Sequence, residues 1–280
     1  MIEAMKQCML VLLIMAYSVS WAQSLSGKIV DEDSGEALEY VNIRVLGKNI
    51  GVISSKGGEF TIDLSRAHNN DTLKFSYIGY QTYTLAIGEI DLTKRQTIKL
   101  HPNPTQLNQI TIRAKQEVQL LGNSKVSRKY TGWGDFESQR GRIRGLLIKG
   151  AECPVKIKSF SFRINHNEWD SVAFRINFLK VENGSLAQSI LEENIYVVTD
   201  KKHKWVKIEL SNYDIVICKE IVATLEWVDA WGKVGEYSNL LTFSLGKEGG
   251  HTFSQEAGQE SGSLSIERNA PAIVVEVYGK

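Results

Sequence analysis

The sequence has 280 residues, room for two modest domains with cores of their own. Its 33 Lys and Arg against 32 Asp and Glu leave a formal net charge of +1, so no overall field draws it to nucleic acid or to an anionic membrane. Hydrophobic residues at 42% exclude a disordered chain, and the absence of any long helical periodicity points to an all-β protein.

Residues 1–22 have the pattern of an export signal. Lys6 precedes the apolar run Met9 to Tyr17, and Ser20-Trp21-Ala22 offers small residues at the two positions a signal peptidase inspects. The mature chain is expected to begin at Gln23. The run is short for an uncleaved membrane anchor, which needs about 20 apolar residues. Cys8 lies before the run, so it is not placed as the acylated cysteine of a lipoprotein. No later segment is long and apolar enough for a transmembrane helix. These features predict an exported protein of the periplasm or the outer-membrane and cell surface, with peripheral membrane association.

Residues 23–100 form the first predicted domain. Val41, Ile43 and Val45 alternate with polar neighbours, as do Phe60, Ile62 and Leu64, then Leu73, Phe75 and Tyr77. That period of two buries one face of each strand. Asp33-Ser34-Gly35 and Lys56-Gly57-Gly58 supply the positive-φ residues that tight connections need. About seven strands fit between Leu25 and Leu100, as in a small sandwich. Gly79, between Ile78 and Tyr80, is expected to bend the backbone where the chain changes sheet.

The order of strands and turns from Gly27 to Tyr83, ending in Phe75-Ser76-Tyr77-Ile78-Gly79-Tyr80, resembles the carboxypeptidase regulatory-like domain. This is a transthyretin/Ig-like β-sandwich common in exported Gram-negative proteins. The resemblance implies a non-catalytic module, and so an address and an architecture without a reaction. Ser55 stands where the family usually has an acidic residue or Asn, which predicts a weaker turn cap there.

Residues 101–125 are predicted as a linker. His101-Pro102-Asn103-Pro104 breaks any strand. Leu107 to Lys115 is similar to the segment that follows the same module in TonB-dependent outer-membrane receptors. The sequence leaves no room for a plug and large barrel, so this segment is read as an extended linker that adds a strand to one sandwich.

Residues 126–280 carry a second β-pattern. Phe160, Phe162 and Ile164 alternate, then Val172, Phe174, Ile176 and Phe178. Trp205 to Leu210, Ile221 to Val228 and Ala272 to Tyr278 follow. The spacing predicts a jelly-roll-like β-sandwich. Between Gly246 and Gly262 the Gly-, Ser-, Glu- and Gln-rich composition predicts a long loop. A small outer-membrane barrel is the alternative, but charges on the alternate face, short strands and the lack of aromatic belts count against it.

The chemistry-bearing motifs are few. No His-Glu-x-x-His, Gly-x-Ser-x-Gly or Walker sequence occurs, so no cofactor and no metal are expected, and the chain is read as non-catalytic. His68 and Asp71 have a ligand-like spacing, but Asn69-Asn70 between them reads as a turn. Glu209 and Glu226 are the one acidic pair worth inspecting for hydrolysis, which requires two carboxylates converging from distant strands.

Five residues are candidate ligand contacts. Arg140, Arg142 and Arg144 share a face if their segment is a strand, and could clamp carboxylate or phosphate. A plain solvated strand face explains the same residues and is the favoured reading. Trp133 and Trp231 sit in loop-like settings where an indole can stack on a sugar, or pack back as an anchor. Trp205 and Trp227 lie within strands and are read as core. Cys153 and Cys218 form an even pair in the mature chain, either a disulfide or two buried thiols. The expected function is a binding or docking module for an envelope glycan or a protein partner.

Overall fold

The computed structural model describes residues 23–103, 117–133, 136–182, 185–200, 204–232, 240–256, 259 and 261–279. The expected signal segment and Leu107 to Lys115 lie outside the described residues. The fold is nearly all β, in two packed sandwiches.

The first sandwich has strands β1 (Ser24–Asp31), β2 (Asn42–Val45), β3 (Gly51–Ile53), β4 (Glu59–Asp63), β5 (Thr72–Ser76), β6 (Tyr83–Ala86) and β7 (Gln96–Leu100). They form a three-stranded sheet in the order β4–β1–β7 and a four-stranded sheet in the order β3–β2–β5–β6. The β1–β7 pair is parallel and the others are antiparallel. The alternation read from the sequence sets the core: Ile43, Val45, Phe60, Ile62, Leu73 and Phe75 are buried between the sheets.

Two local expectations change here. Gly79 has a φ of +84°, but it turns the chain from β5 to β6 within one sheet rather than between sheets. A Cβ there would come within 2.8 Å of the Glu192 carbonyl oxygen, so the glycine also permits close approach to the second sandwich. The turn at Ser55 is capped after all. Its Oγ accepts hydrogen bonds from the Gly57 and Glu59 N–H groups, each at 3.2 Å, because a serine hydroxyl can take the acceptor role of the shorter acid.

The second sandwich comprises β8 (Val118–Gly122), β9 (Val126–Trp133), the short helix α1 (Phe136–Gln139), β10 (Ile143–Asn167), β11 (Ser171–Glu182), β12 (Ser185–Ser189) and β13 (Ile195–Asp200). It continues with β14 (Trp205–Glu209), β15 (Val216–Trp231), β16 (Leu241–Gly246), β17 (Gly250–Gln255), β18 (Ser263–Glu267) and β19 (Ile273–Tyr278). The long strand β10 serves both layers. Its first part pairs with β15 and β17, and its later part with β14, β19 and then β16. Phe160, Phe162, Phe174, Ile176, Phe178 and Trp227 meet in a filled apolar core, as a jelly-roll-like sandwich requires and a barrel lumen does not.

The residues expected to be linker up to position 125 contain β8, which pairs with β19 of the second sandwich. The loop expected from Gly246 to Gly262 contains β17, because Thr252 and Phe253 are buried against β10 despite polar neighbours.

Strand β15 explains how the two sandwiches sit together. Residues 221 to 228 are buried without interruption. Ile221, Ala223, Leu225 and Trp227 enter the second core. Part of the other face is covered by the first sandwich: Val228 and Ala173 pack with Tyr40 and Ile53 in a small cluster of their own, with Tyr196 against it. A strand covered on both sides loses its polar alternation.

Candidate binding cleft

The outer face of the second sandwich carries two buried charges, Arg175 on β11 and Glu226 on β15. The strand register sets them directly opposite each other. Two of the three guanidinium nitrogens of Arg175, Nε and Nη2, donate to Glu226 Oε2, at 2.9 and 2.6 Å. The side chains are 4% and 6% exposed, so this pair lies outside the range where solvent weakens ion pairs. Burial pushes the Glu226 carboxyl above its ordinary pKa, and the guanidinium draws it back only in part.

Arg175 also reaches the first sandwich. Its Nη1 donates to the Tyr40 carbonyl at 2.9 Å and to Asn194 Oδ1 at 3.2 Å, and Asn194 Nδ2 donates to the Ile78 carbonyl at 3.3 Å. Tyr40 has a φ of 54°, in the left-handed region that a bulky residue rarely occupies. The strained backbone is held from several sides. The Tyr40 hydroxyl donates to Asp229 Oδ2 at 2.9 Å, and its ring meets Tyr196 edge-on at 5.2 Å. Burial and the nearby Asp229 raise the Tyr40 hydroxyl pKa, so it stays a donor across the physiological range.

Beside this contact the sandwiches part and leave a cleft of about 1030 Å³. One wall is the β2–β5 face, with Asn42, Arg44, Lys74 and Ser76, and the other is the β11–β15–β17 face, with Glu226 and Gln255. Among the described lining residues, three cations (Arg44, Lys74, Arg175) balance three carboxylates (Glu192, Glu226, Glu256). The rings of Tyr77 and Tyr80 stand 5.3 Å apart in the lining. Glu226 Oε1 is buried and has no hydrogen-bond partner among the described residues.

The residues singled out in the sequence are placed elsewhere or do other work. Trp133 is 1% exposed and stacks on Trp227 at 5.7 Å with 11° between the planes, so it offers no ring face to a ligand. It anchors the core because β9 closes the sandwich there. Trp231 is 38% exposed at the end of β15 and does not line the cleft. Trp227 is core as expected, whereas Trp205 is 37% exposed because its position on β14 faces outward.

The three arginines do not share a strand face, since Arg140 and Arg142 precede β10 and only Arg144 lies on it. Arg140 ties the sandwiches together: Nη2 donates to the Ser54 carbonyl at 2.9 Å and Nε to the Val228 carbonyl at 3.2 Å. Arg142 pairs with Glu256 at 2.5 Å and also donates to Gln139. Arg144 is partly buried, and burial together with Arg142 lowers its pKa. No three-guanidinium clamp forms.

Glu209 sits exposed on β14, 3.2 Å from Lys207, while Glu226 faces the first sandwich, so the two acids do not converge. Asp71 is bound by Lys48 Nζ at 2.5 Å and caps the His68 N–H at 2.6 Å, the turn its sequence suggested. No group of three or more His, Cys, Asp or Glu is placed to hold a metal among the described residues. Cys218 is disulfide-bonded. The register pairs Ala151 with Lys219 and Val155 with Ile217, which sets the backbone of Cys153 across from Cys218.

Residues 25–112 match the CarboxypepD_reg-like domain family. The first sandwich is a carboxypeptidase regulatory-like domain. Its match covers less than half of the chain, and β8 to β19 lie beyond it. A TonB-dependent receptor P3 from Formosa agariphila is 25% identical over 163 residues, which covers 54% of this chain and 16% of that receptor. The chain therefore spans only a small part of the curated relative it matches.

Among solved structures, the cysteine protease and lectin-like domains of Cwp84 from Clostridium difficile align over 93% of this chain and 59% of theirs, at 7% identity and a TM-score of 0.37. An infectious bursal disease virus Gt strain structure covers 91% of this chain and 61% of that chain, at 11% identity and a TM-score of 0.28. Overlaps this loose carry no argument about function.

Proposed function

We propose that this chain is a non-catalytic, exported module of the cell envelope, associated with outer-membrane transport, that binds a glycan in the cleft between its sandwiches. The regulatory-like domain and the similarity to a TonB-dependent receptor support the envelope and transport setting. The observation that carries the binding reading is the cleft itself: about 1030 Å³, balanced in charge, with amide side chains on both walls and tyrosine rings in its lining. Polyhydroxylated ligands need such a mixture of donors, acceptors and ring faces. The regulatory-like domain supplies one wall and the second sandwich the other.

The test is calorimetric titration of the exported chain with neutral and acidic envelope and dietary polysaccharides. Saturable binding that disappears in Ser76→Trp, with its indole filling the cleft, supports the reading. Binding that survives Ser76→Trp and disappears in Trp231→Ala moves the site to the exposed indole at the end of β15. The receptor similarity favours a second reading, protein docking, which predicts no glycan binding and specific capture of an outer-membrane partner.

A further inference from the structure

We propose that Glu226 is the recognition group of the cleft and that its Oε1 accepts a hydrogen bond from a hydroxyl of a neutral oligosaccharide. The inference rests on the glycan reading of the cleft and names the group that reads the ligand.

Glu226 stands on the cleft wall with a side chain only 6% exposed. Its two oxygens are used unequally. Oε2 accepts from Nε and Nη2 of Arg175, whereas Oε1 is buried without a hydrogen-bond partner among the described residues. A buried carboxylate oxygen that receives no donor is costly, and such atoms are rare in folded proteins. The cost is offset when a ligand donates to it.

The local charge selects the kind of donor. Arg175 already balances Glu226, Arg142 pairs with Glu256, and the described lining carries as many cations as carboxylates. No excess negative charge remains to hold a cation, and no metal-binding group stands there among the described residues. The site therefore suits an uncharged donor, and a sugar hydroxyl is one. Arg175 is spent on Glu226, Tyr40 and Asn194, so it holds the acceptor in place and leaves recognition to Oε1. The cleft volume lies at the upper end of the range for small-molecule sites, roughly 300–1000 Å³, and accommodates several sugar rings.

The experiment titrates the full exported chain with neutral gluco-, manno-, xylo- and galacto-oligosaccharides, a uronic-acid oligosaccharide and an extended peptide pool. Binding of a neutral oligosaccharide is expected, weakened at least tenfold by Glu226→Gln, which can present an amide donor where the acceptor stood. Should that variant not fold, single-deoxy versions of the bound sugar replace it. One missing hydroxyl should then cost at least tenfold, and the carboxyl carbon-13 signal of Glu226 should shift with the parent sugar but not with that analogue.

Several outcomes overturn the proposal. A neutral sugar that binds equally to wild type and a folded Glu226→Gln, or leaves the carboxyl signal unmoved, removes Glu226 and leaves the cleft reading intact. Binding of the uronic-acid ligand or the peptide alone removes the neutral-hydroxyl assignment. A crystal structure with the sugar bound and only an ordered water at Oε1 does the same. No binding to any ligand defeats the cleft reading itself.

Discussion

Arg175 and Glu226 make a doubly bonded ion pair, 2.6 and 2.9 Å long, on a sheet face that the other sandwich covers. The same guanidinium holds the carbonyl of Tyr40 across the boundary. One residue thus links a charge pair within the second sandwich to a strained backbone position in the first. Arg175→Met should leave the carboxylate buried without its cation and destabilise the chain by about 3–5 kcal/mol. Chemical denaturation of wild type and variant measures the difference. A loss below about 1 kcal/mol would show that solvent reaches the pair.

Tyr40→Phe is a milder test of the same contact. It keeps the ring against Tyr196 and removes the hydrogen bond to Asp229. Asp229 also accepts from the Ala230 N–H, through its other carboxylate oxygen, so the freed oxygen alone loses its donor. A loss of about 1–3 kcal/mol is expected. Calorimetry should also show the sandwiches unfolding less cooperatively, as a broadened or split transition in place of a single one.

Acid should weaken the first sandwich through Asp31. The Tyr80 hydroxyl donates to its Oδ2 at 2.6 Å, and the Ser34 and Asp33 N–H groups donate to Oδ1 at 2.7 and 2.9 Å. The Tyr80 hydrogen bond is the largest cause that lowers this carboxyl's pKa below its ordinary value of 3.8, and the Ser34 backbone bond is next. A folded-state pKa below the unfolded one means that the unfolded chain binds the proton first. The stabilisation is therefore present above the unfolded value and is lost as pH falls through the folded one. Stability measured from pH 6 down to pH 2 should fall less steeply in Asp31→Asn. An unchanged slope would remove Asp31 from the acid response.

The core was readable from the sequence because period-two patterns report burial directly. Phe60 and Ile62, or Phe160 and Phe162, are buried where their alternation puts them. The cleft was not readable in that way. Its key pair consists of one Arg in the apolar run Val172 to Phe178 and one Glu in the run Ile221 to Val228. A single charge in an apolar strand signals a second covered face, yet only the register shows that the two charges meet. Trp133 misled for the opposite reason. Glycines on either side resemble a loop, but Gly132 belongs to β9, and the indole it precedes closes the core.

Trp133→Ala should accordingly act as a core truncation. The ring touches Trp227 and Phe243 at 5.7 and 4.7 Å, and removing it should cost about 3–5 kcal/mol. Trp231→Ala should change stability by less than about 1 kcal/mol, since its ring is partly exposed. Thermal unfolding of the two variants side by side checks the contrast. Equal shifts would contradict the placement of these indoles.

Cys218 lies next to Lys219, whose φ of 66° marks an irregular step where the β10–β15 register shifts. The backbone of Cys153 faces that step, so the expected partner in the disulfide is Cys153. The link would tie two strands that carry both layers of the second sandwich, closing a loop of about 65 residues. Chain-entropy arguments give about 4 kcal/mol for a loop of that length. Peptide mapping without reductant should recover a Cys153–Cys218 peptide, and Cys218→Ser should lower the melting temperature about as much as reduction does. An unlinked Cys153, or a disulfide joining two chains, would show that the irregular step in β15 is held by backbone pairing alone.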